Sequence, residues 1–168
     1  MPEPVVIAAY DPAWPPQFDL IRAGLARAMG DAAIDIHHVG STAVAGLAAK
    51  PILDIDLVIA SASAMPEAIA RLAAAGYAYE GERGVAGRHA FGQPIGLPRH
   101  HLYVCAQDNR ELARHLTFRD ALRADPSLRD RYAALKQQLA ARFGIDREGY
   151  AMAKTEFVER VLKGSVDD

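Results

Sequence analysis

The chain reads as an α+β (mixed α/β) protein: a small mixed β-sheet with packed helices and a helical C-terminal third. Three observations predict this. Short alternating segments occupy the first two-thirds of the chain. Glycines gather between residues 81 and 98. From residue 109 onward, apolar residues recur at helical spacing.

Each element has its own signal. Asp11-Pro12-Ala13-Trp14-Pro15-Pro16 is a turn leading into a helix, because proline is tolerated in a first helical turn. Trp14, Phe18, Ile21, Leu25 and Met29 then form one apolar stripe, and Gly30 stops it. Ile34 to Val39 is a short alternating strand, and Leu53 to Ala60 is a second. Pro66 opens a helix carrying Ile69 and Leu72 that stops at Gly76. Tyr77 to Glu80 reads as a short strand. The glycine-rich segment 81–98 reads as a hairpin or loop with a strand over Arg88 to Phe91, and His101 to Cys105 is a further strand. Asn109 to Ala124 is a helix, and Asp125-Pro126 caps and opens the next. That helix carries Leu128, Tyr132, Leu135, Leu139 and Phe143 and closes at Gly144. Tyr150, Phe157 and Val161 stripe a last helix that ends near Gly164.

Composition sets bounds on function. The length of 168 residues suits one domain, 1–168, and a hydrophobic share of 51% is ample for a core. A net charge of −2 gives no general electrostatic grip on nucleic acid. The single Cys105 cannot form an internal disulfide and reads as a small buried hydrophobe. No signal-peptide pattern or membrane-length apolar run is visible, so the expected location is cytoplasmic, without a membrane partner.

The chemistry concentrates in two segments. His38-Val39-Gly40-Ser41-Thr42 reads as a strand running into a glycine turn with two hydroxyls. Lys50-Pro51-Ile52-Leu53-Asp54-Ile55-Asp56-Leu57 then carries two carboxylates at i and i+2. Alternate residues of a strand share a face, so Asp54 and Asp56 project together while Leu53, Ile55, Leu57 and Ile59 face an apolar layer. Paired carboxylates repel unless a cation or proton compensates them. Mg²⁺ is the simplest compensation, since it takes oxygen ligands and keeps phosphate oxygens in its shell. Gly40, Ser41 and Thr42 can cradle that phosphate through backbone N–H groups and hydroxyls. Lys50 and Arg88 would neutralise it, although Lys50 could equally be a solvated loop lysine.

The same residues carry a resemblance. Gly40-Ser41 followed by Asp54-Ile55-Asp56 looks like the signature of the nucleotidyltransferase superfamily related to DNA polymerase beta. The longer run from His38 to Asp56 resembles the GrpB-like family, a branch of that superfamily. Tyr10-Asp11-Pro12-Ala13-Trp14-Pro15, Arg99-His100-His101-Leu102-Tyr103-Val104, Arg114-His115-Leu116-Thr117-Phe118-Arg119-Asp120 and Lys154-Thr155-Glu156-Phe157-Val158 are similar to its other motifs, so the likeness spans nearly the whole chain.

The resemblance implies a minimal nucleotidyltransferase-like fold and metal-dependent transfer of a nucleotidyl group from a nucleoside triphosphate to an acceptor. Asp54, Asp56 and His101 would be the catalytic and metal-binding residues for Mg²⁺ or Mn²⁺, and Gly40, Ser41, Thr42, Lys50 and Arg88 would hold the nucleotide. The chain departs from the superfamily in lacking the third carboxylate on the neighbouring strand. His101 stands there instead, an imidazole that favours Zn, Mn or Ni over Mg. Glu80 or Glu82 would be alternative carboxylates, and Tyr103 takes a place where the family tends to carry histidine.

Other residues have plainer readings. His38 reads as a satisfied, partly buried histidine. Arg114, His115 and Arg119 read as a helix surface with a local ion pair, or else as a basic wall over the site. Lys154 reads as a packing and ion-pair lysine, or else as one reaching the site from the helical cover. Two further functions remain open on the sequence: a non-catalytic module binding a nucleotide, a CoA precursor or another phosphate compound, and a metal-dependent phosphohydrolase.

Overall fold

The computed structural model describes residues 3–164. Five strands form one sheet in the order β1-β2-β5-β4-β3: β1 Asp35–Val39, β2 Leu53–Ile59, β3 Ala78–Gly81, β4 His89–Gly92 and β5 His100–Ala106. β2 and β5 run parallel at the centre, and every other pair is antiparallel. The helices are α1 Trp14–Met29, α2 Met65–Ala74, α3 Arg110–Ala124, α4 Pro126–Phe143 and α5 Arg147–Leu162.

The two faces of the sheet differ in kind. Leu53, Ile55, Leu57 and Ile59 of β2 and Leu102 and Val104 of β5 pack with Trp14, Ile21, Leu25 and Met29 of α1 and Ala68 and Leu72 of α2. This is the apolar layer that the alternation in β2 requires. The opposite face presents Asp54, Asp56 and Val58. Only Val58 is apolar, and it packs with Cys105 and Leu112 to anchor α3. A second cluster of Val44, Leu47, Leu122, Leu128, Tyr132, Phe157 and Val161 ties α3, α4 and α5 to the loop after β1.

Local chemistry sets the helix ends in the last third. The Asn109 side chain accepts from the N–H groups of Glu111 and Leu112, and Asp125 accepts from Ser127 and Leu128, so both helices start with satisfied first turns. Gly144, at φ +54°, lets the chain leave α4. No helix among the described residues is long and apolar enough to cross a membrane.

Candidate functional site

A cleft of about 510 Å³ opens between the polar face of the sheet and the helical cover. One wall is the turn after β1 and the start of β2: Gly40, Ser41, Thr42, Lys50 and Asp54. The other comes from the helices: Arg114 and His115 of α3, Tyr132 and Lys136 of α4, Tyr150 and Lys154 of α5.

The glycine turn is tied to the aspartate strand. β1 pairs antiparallel with β2 so that Val39 lies opposite Asp54, which puts Gly40 beside the Asp54 carboxylate. Gly40 has φ +73°, and a Cβ there would sit 2.6 Å from Asp54 Oδ2. Only glycine meets both demands. The following loop is held from above. Arg119 donates to the carbonyl of His38 (3.1 Å), Arg123 to that of Ala43 (2.7 Å), Arg129 to that of Ala45 (3.3 Å), and Lys136 to that of Ala48. These helical cations occupy one carbonyl of β1 and three of the loop after it, and fix that loop under the cover. Ser41 bonds the Tyr132 side chain, and Thr42 bonds His38 (Oγ1 to Nε2, 2.8 Å). His38 stacks on Phe18, and burial lowers its pKa to about 4, so it is a neutral packing residue as the sequence suggests.

The two aspartates have different surroundings. Asp54 lines the cleft and meets His101 Nδ1 at 3.1 Å, a consequence of the register that places these residues side by side on parallel strands. Asp56 is only 1% exposed. Its Oδ2 takes a 2.7 Å hydrogen bond from His115 Nδ1, and its Oδ1 lies 3.7 Å from the Arg88 guanidinium, which stacks 3.4 Å over the Tyr103 ring. Among the described residues, Asp56 Oδ1 and Arg88 Nε are the buried side-chain polar atoms without a hydrogen-bond partner. Charge holds this pair, not a hydrogen bond.

The predicted residues therefore divide. Gly40, Ser41, Thr42, Lys50, Asp54 and His101 gather on the cleft. Arg88 does not; it supports Asp56 from the far side. Glu80 and Glu82 do not reach the aspartates: Glu80 pairs with Arg83, and Glu82 faces His89 and the N–H of Gly87. Among the described residues, no three His, Cys, Asp or Glu side chains converge as a metal-binding set. With Asp56 committed to His115 and Arg88, the donors do not fit a metal held by the protein alone.

The sequence reading undervalued the helical wall. Lys136 is buried, with its ammonium 4.9 Å from the Tyr132 ring centre. Lys50 and Lys154 both lie over Tyr150, at 4.6 and 5.3 Å. Burial, and then the charges of Lys154 and Lys50, lower Lys136 to about 7. Lys50 and Lys154 are also lowered, each mainly by burial, while Asp54 opposes the shift. A signal for this wall was present in the sequence: Lys136 stands at i+4 from Tyr132 and Lys154 at i+4 from Tyr150, both inside apolar stripes.

Residues 4–164 match the GrpB protein family. The chain belongs to that family. It is 37% identical over 155 residues to the UPF0157 protein YqkA of Bacillus subtilis, a match covering 92% of this chain and 45% of YqkA, so the chain spans about half of that relative. It is 32% identical to a dephospho-CoA kinase of Mycolicibacterium paratuberculosis, covering 90% of this chain and 43% of the kinase. The crystal structure of the conserved protein GrpB from Enterococcus faecalis superposes with a TM-score of 0.81 at 30% identity, covering 96% of this chain and all of that one. The Cid1 poly(U) polymerase, in a structure with MgGTP bound, superposes with a TM-score of 0.54 at 17% identity, over 81% of this chain and 45% of Cid1. The fold is thus similar to part of that of a poly(U) polymerase.

Proposed function

We propose that the cleft binds the triphosphate of a nucleotide and that the protein transfers the nucleotidyl group to an acceptor hydroxyl. The observation that carries this reading is that Lys136 and Lys154 of the helical wall share the cleft with Lys50 and the Gly40-Ser41-Thr42 turn. Three ammonium groups lowered by burial, with Lys50 lowering Lys154 and both lowering Lys136, favour a polyanion, whose charge would relieve both burial and repulsion. The likeness of fold to Cid1 supports the choice of a nucleotide among polyanions.

Mg²⁺ or Mn²⁺ would enter this reading with the triphosphate as its counter-ion, and Asp54 is the cleft carboxylate that would face it, supplying charge neutralisation. Ser41 and Thr42 border the phosphates. His101 holds Asp54 in place, and Arg88 acts on Asp56 without touching the nucleotide.

A second reading is favoured by the similarity to dephospho-CoA kinases. In it the same cleft holds a CoA precursor or another phosphate compound without turnover. Calorimetric titration with ATP, GTP, CTP, UTP and dephospho-CoA, each with and without Mg²⁺ or Mn²⁺, separates the two. Triphosphate binding that is lost in Lys136→Met and Lys154→Met supports the first reading. Dephospho-CoA binding alone selects the second. Release of free phosphate rather than pyrophosphate would instead mark a phosphohydrolase.

A further inference from the structure

His115 lies on the first half of α3, where the sequence suggests either a helix surface or a basic wall over the site. The fold turns it inward. Its Nδ1 is 2.7 Å from Oδ2 of Asp56, whose side chain is 1% exposed, while the imidazole is 27% exposed and borders the cleft. A carboxylate only accepts hydrogen bonds, so Nδ1 carries a hydrogen, and in the neutral imidazole Nε2 is then the nitrogen with the lone pair. Arg88 faces the other Asp56 oxygen at 3.7 Å and stands on the Tyr103 ring. The carboxylate is thus gripped from two sides, beneath a ring that borders the cleft and whose Nε2 lies 3.9 Å from Glu111 Oε2.

The superfamily's expected third carboxylate has no counterpart beside the aspartates. The position next to Asp56 on β5 is Tyr103, which lies under Arg88. The cleft still needs a group to take the acceptor's proton, and His115 is placed for it.

We propose that His115, held by Asp56, is the general base of the reaction, and that Asp56 is its positioning residue, not a metal ligand. The proposal rests on the nucleotidyl-transfer reading above. The acceptor's O–H bond breaks and its proton passes to His115 Nε2. The acceptor oxygen forms a bond to the α-phosphorus. The bond from that phosphorus to the bridging α–β oxygen breaks, and pyrophosphate leaves with the electron pair. Asp56 stabilises the imidazolium without taking the proton. The other charged groups around the ring are Glu111, with Oε2 3.9 Å from Nε2, and the cleft residues Arg114, Asp54 and His101. Arg114 is engaged by Glu111 and Glu159.

The test uses the full chain, with two variants and two readouts. Pyrophosphate release is followed from whichever triphosphate binds, with water, glycerol and nucleosides as hydroxyl acceptors. Nitrogen-15 NMR reads the imidazole tautomer. His115→Gln is expected to bind the α,β-methylene analogue of that triphosphate within threefold of wild type. It should lose at least a hundredfold in rate, together with the acid limb of the pH–rate profile. Asp56→Asn is expected to lose rate and to move the His115 hydrogen from Nδ1. Turnover within threefold in His115→Gln, or an Nε2–H tautomer in the wild type, overturns the base role alone. A wild type that binds triphosphate but releases no pyrophosphate to any acceptor overturns the base role and leaves the binding reading. A wild type that binds no triphosphate overturns the underlying reading and the base role with it.

Discussion

Two aspartate–histidine pairs stand two residues apart on one strand, and they are not equivalent. Asp54 and His101 are 37% and 54% exposed and 3.1 Å apart. Asp56 and His115 are 1% and 27% exposed and 2.7 Å apart. Solvent screens the first pair, which is worth at most about 1 kcal/mol. The second is enclosed, and each partner depends on the other. The difference comes from α3. Leu112 seats against Val58 and Cys105, bringing the next helical turn, with His115, down over Asp56 and leaving Asp54 at the open end. Like residues at like spacing on one strand acquire different tasks because a helix covers one and not the other.

Removing each carboxylate gives the widest separation. Asp56→Ala leaves the Arg88 guanidinium beside a vacated buried site and is expected to cost about 3 kcal/mol. Asp54→Ala is expected to cost less than about 1 kcal/mol in stability, while abolishing nucleotide binding at the cleft. Urea denaturation of the two variants checks the contrast. Equal losses would mean that α3 does not distinguish the pairs.

His38 sharpens the comparison by supplying a buried imidazole with no carboxylate partner. Its pKa is lowered to about 4 by burial, with Arg123 adding to the effect. Its folded value lies below the unfolded value near 6.5, so the unfolded chain binds more protons between the two. Stability is therefore expected to be full above about pH 6.5 and to fall as pH drops towards 4, by on the order of 2–3 kcal/mol. Thermal melts of wild type and His38→Phe across that window check it. The slope should flatten in the variant, where no proton is taken up at this position.

These contrasts show what could be read without coordinates. Strand β2 was legible because its alternation is strict: Leu53, Ile55 and Leu57 on one face, Asp54 and Asp56 on the other. The ends of α3 and α4 were legible because Asn109, Asp125 and Gly144 act within a few residues of themselves. The divergence of His37 from His38 and of His100 from His101 also followed from strand geometry: His38 and His100 are buried, while His101 faces the cleft. What could not be read depends on long-range placement. Arg88 read as a phosphate ligand, but the β4–β5 pairing carries it behind Asp56. Lys136 and Lys154 lie far from the aspartates in sequence, and only the packing of α4 on α5 turns them to the same cleft. Lys154, between Tyr150 and Phe157, read first as a packing lysine, and Lys136 gave no reading of its own.

Gly40 links the exposed aspartate to the phosphate turn and gives a third way to press on the comparison. In Gly40→Ala the new Cβ meets Asp54 Oδ2 at 2.6 Å, in a conformation with φ +73°. The expected cost is about 2 kcal/mol, from the left-handed backbone and the displaced carboxylate together. The buried pair should be spared. In the Gly40→Ala variant the His101 resonances should shift while the His115 tautomer stays as in wild type, which NMR can read in one sample.

Lys136 gives a modest stability effect, and its sign is the informative part. Burial and two neighbouring lysines lower it to about 7, so the folded chain holds this ammonium at a cost. The unfolded chain binds the extra proton between about pH 7 and 10.5, and wild-type stability should rise with pH across that window. Methionine keeps most of the volume and removes the charge, but it takes the donor from the Ala48 carbonyl. The balance is expected to leave Lys136→Met on the order of 1–2 kcal/mol more stable than wild type at neutral pH. Its affinity for a nucleoside triphosphate should fall at least tenfold. Gain of stability with loss of binding, from denaturation and calorimetry on the same protein, is what a cation kept for a polyanion produces. A lysine present only for packing would lose stability on substitution and leave binding unchanged.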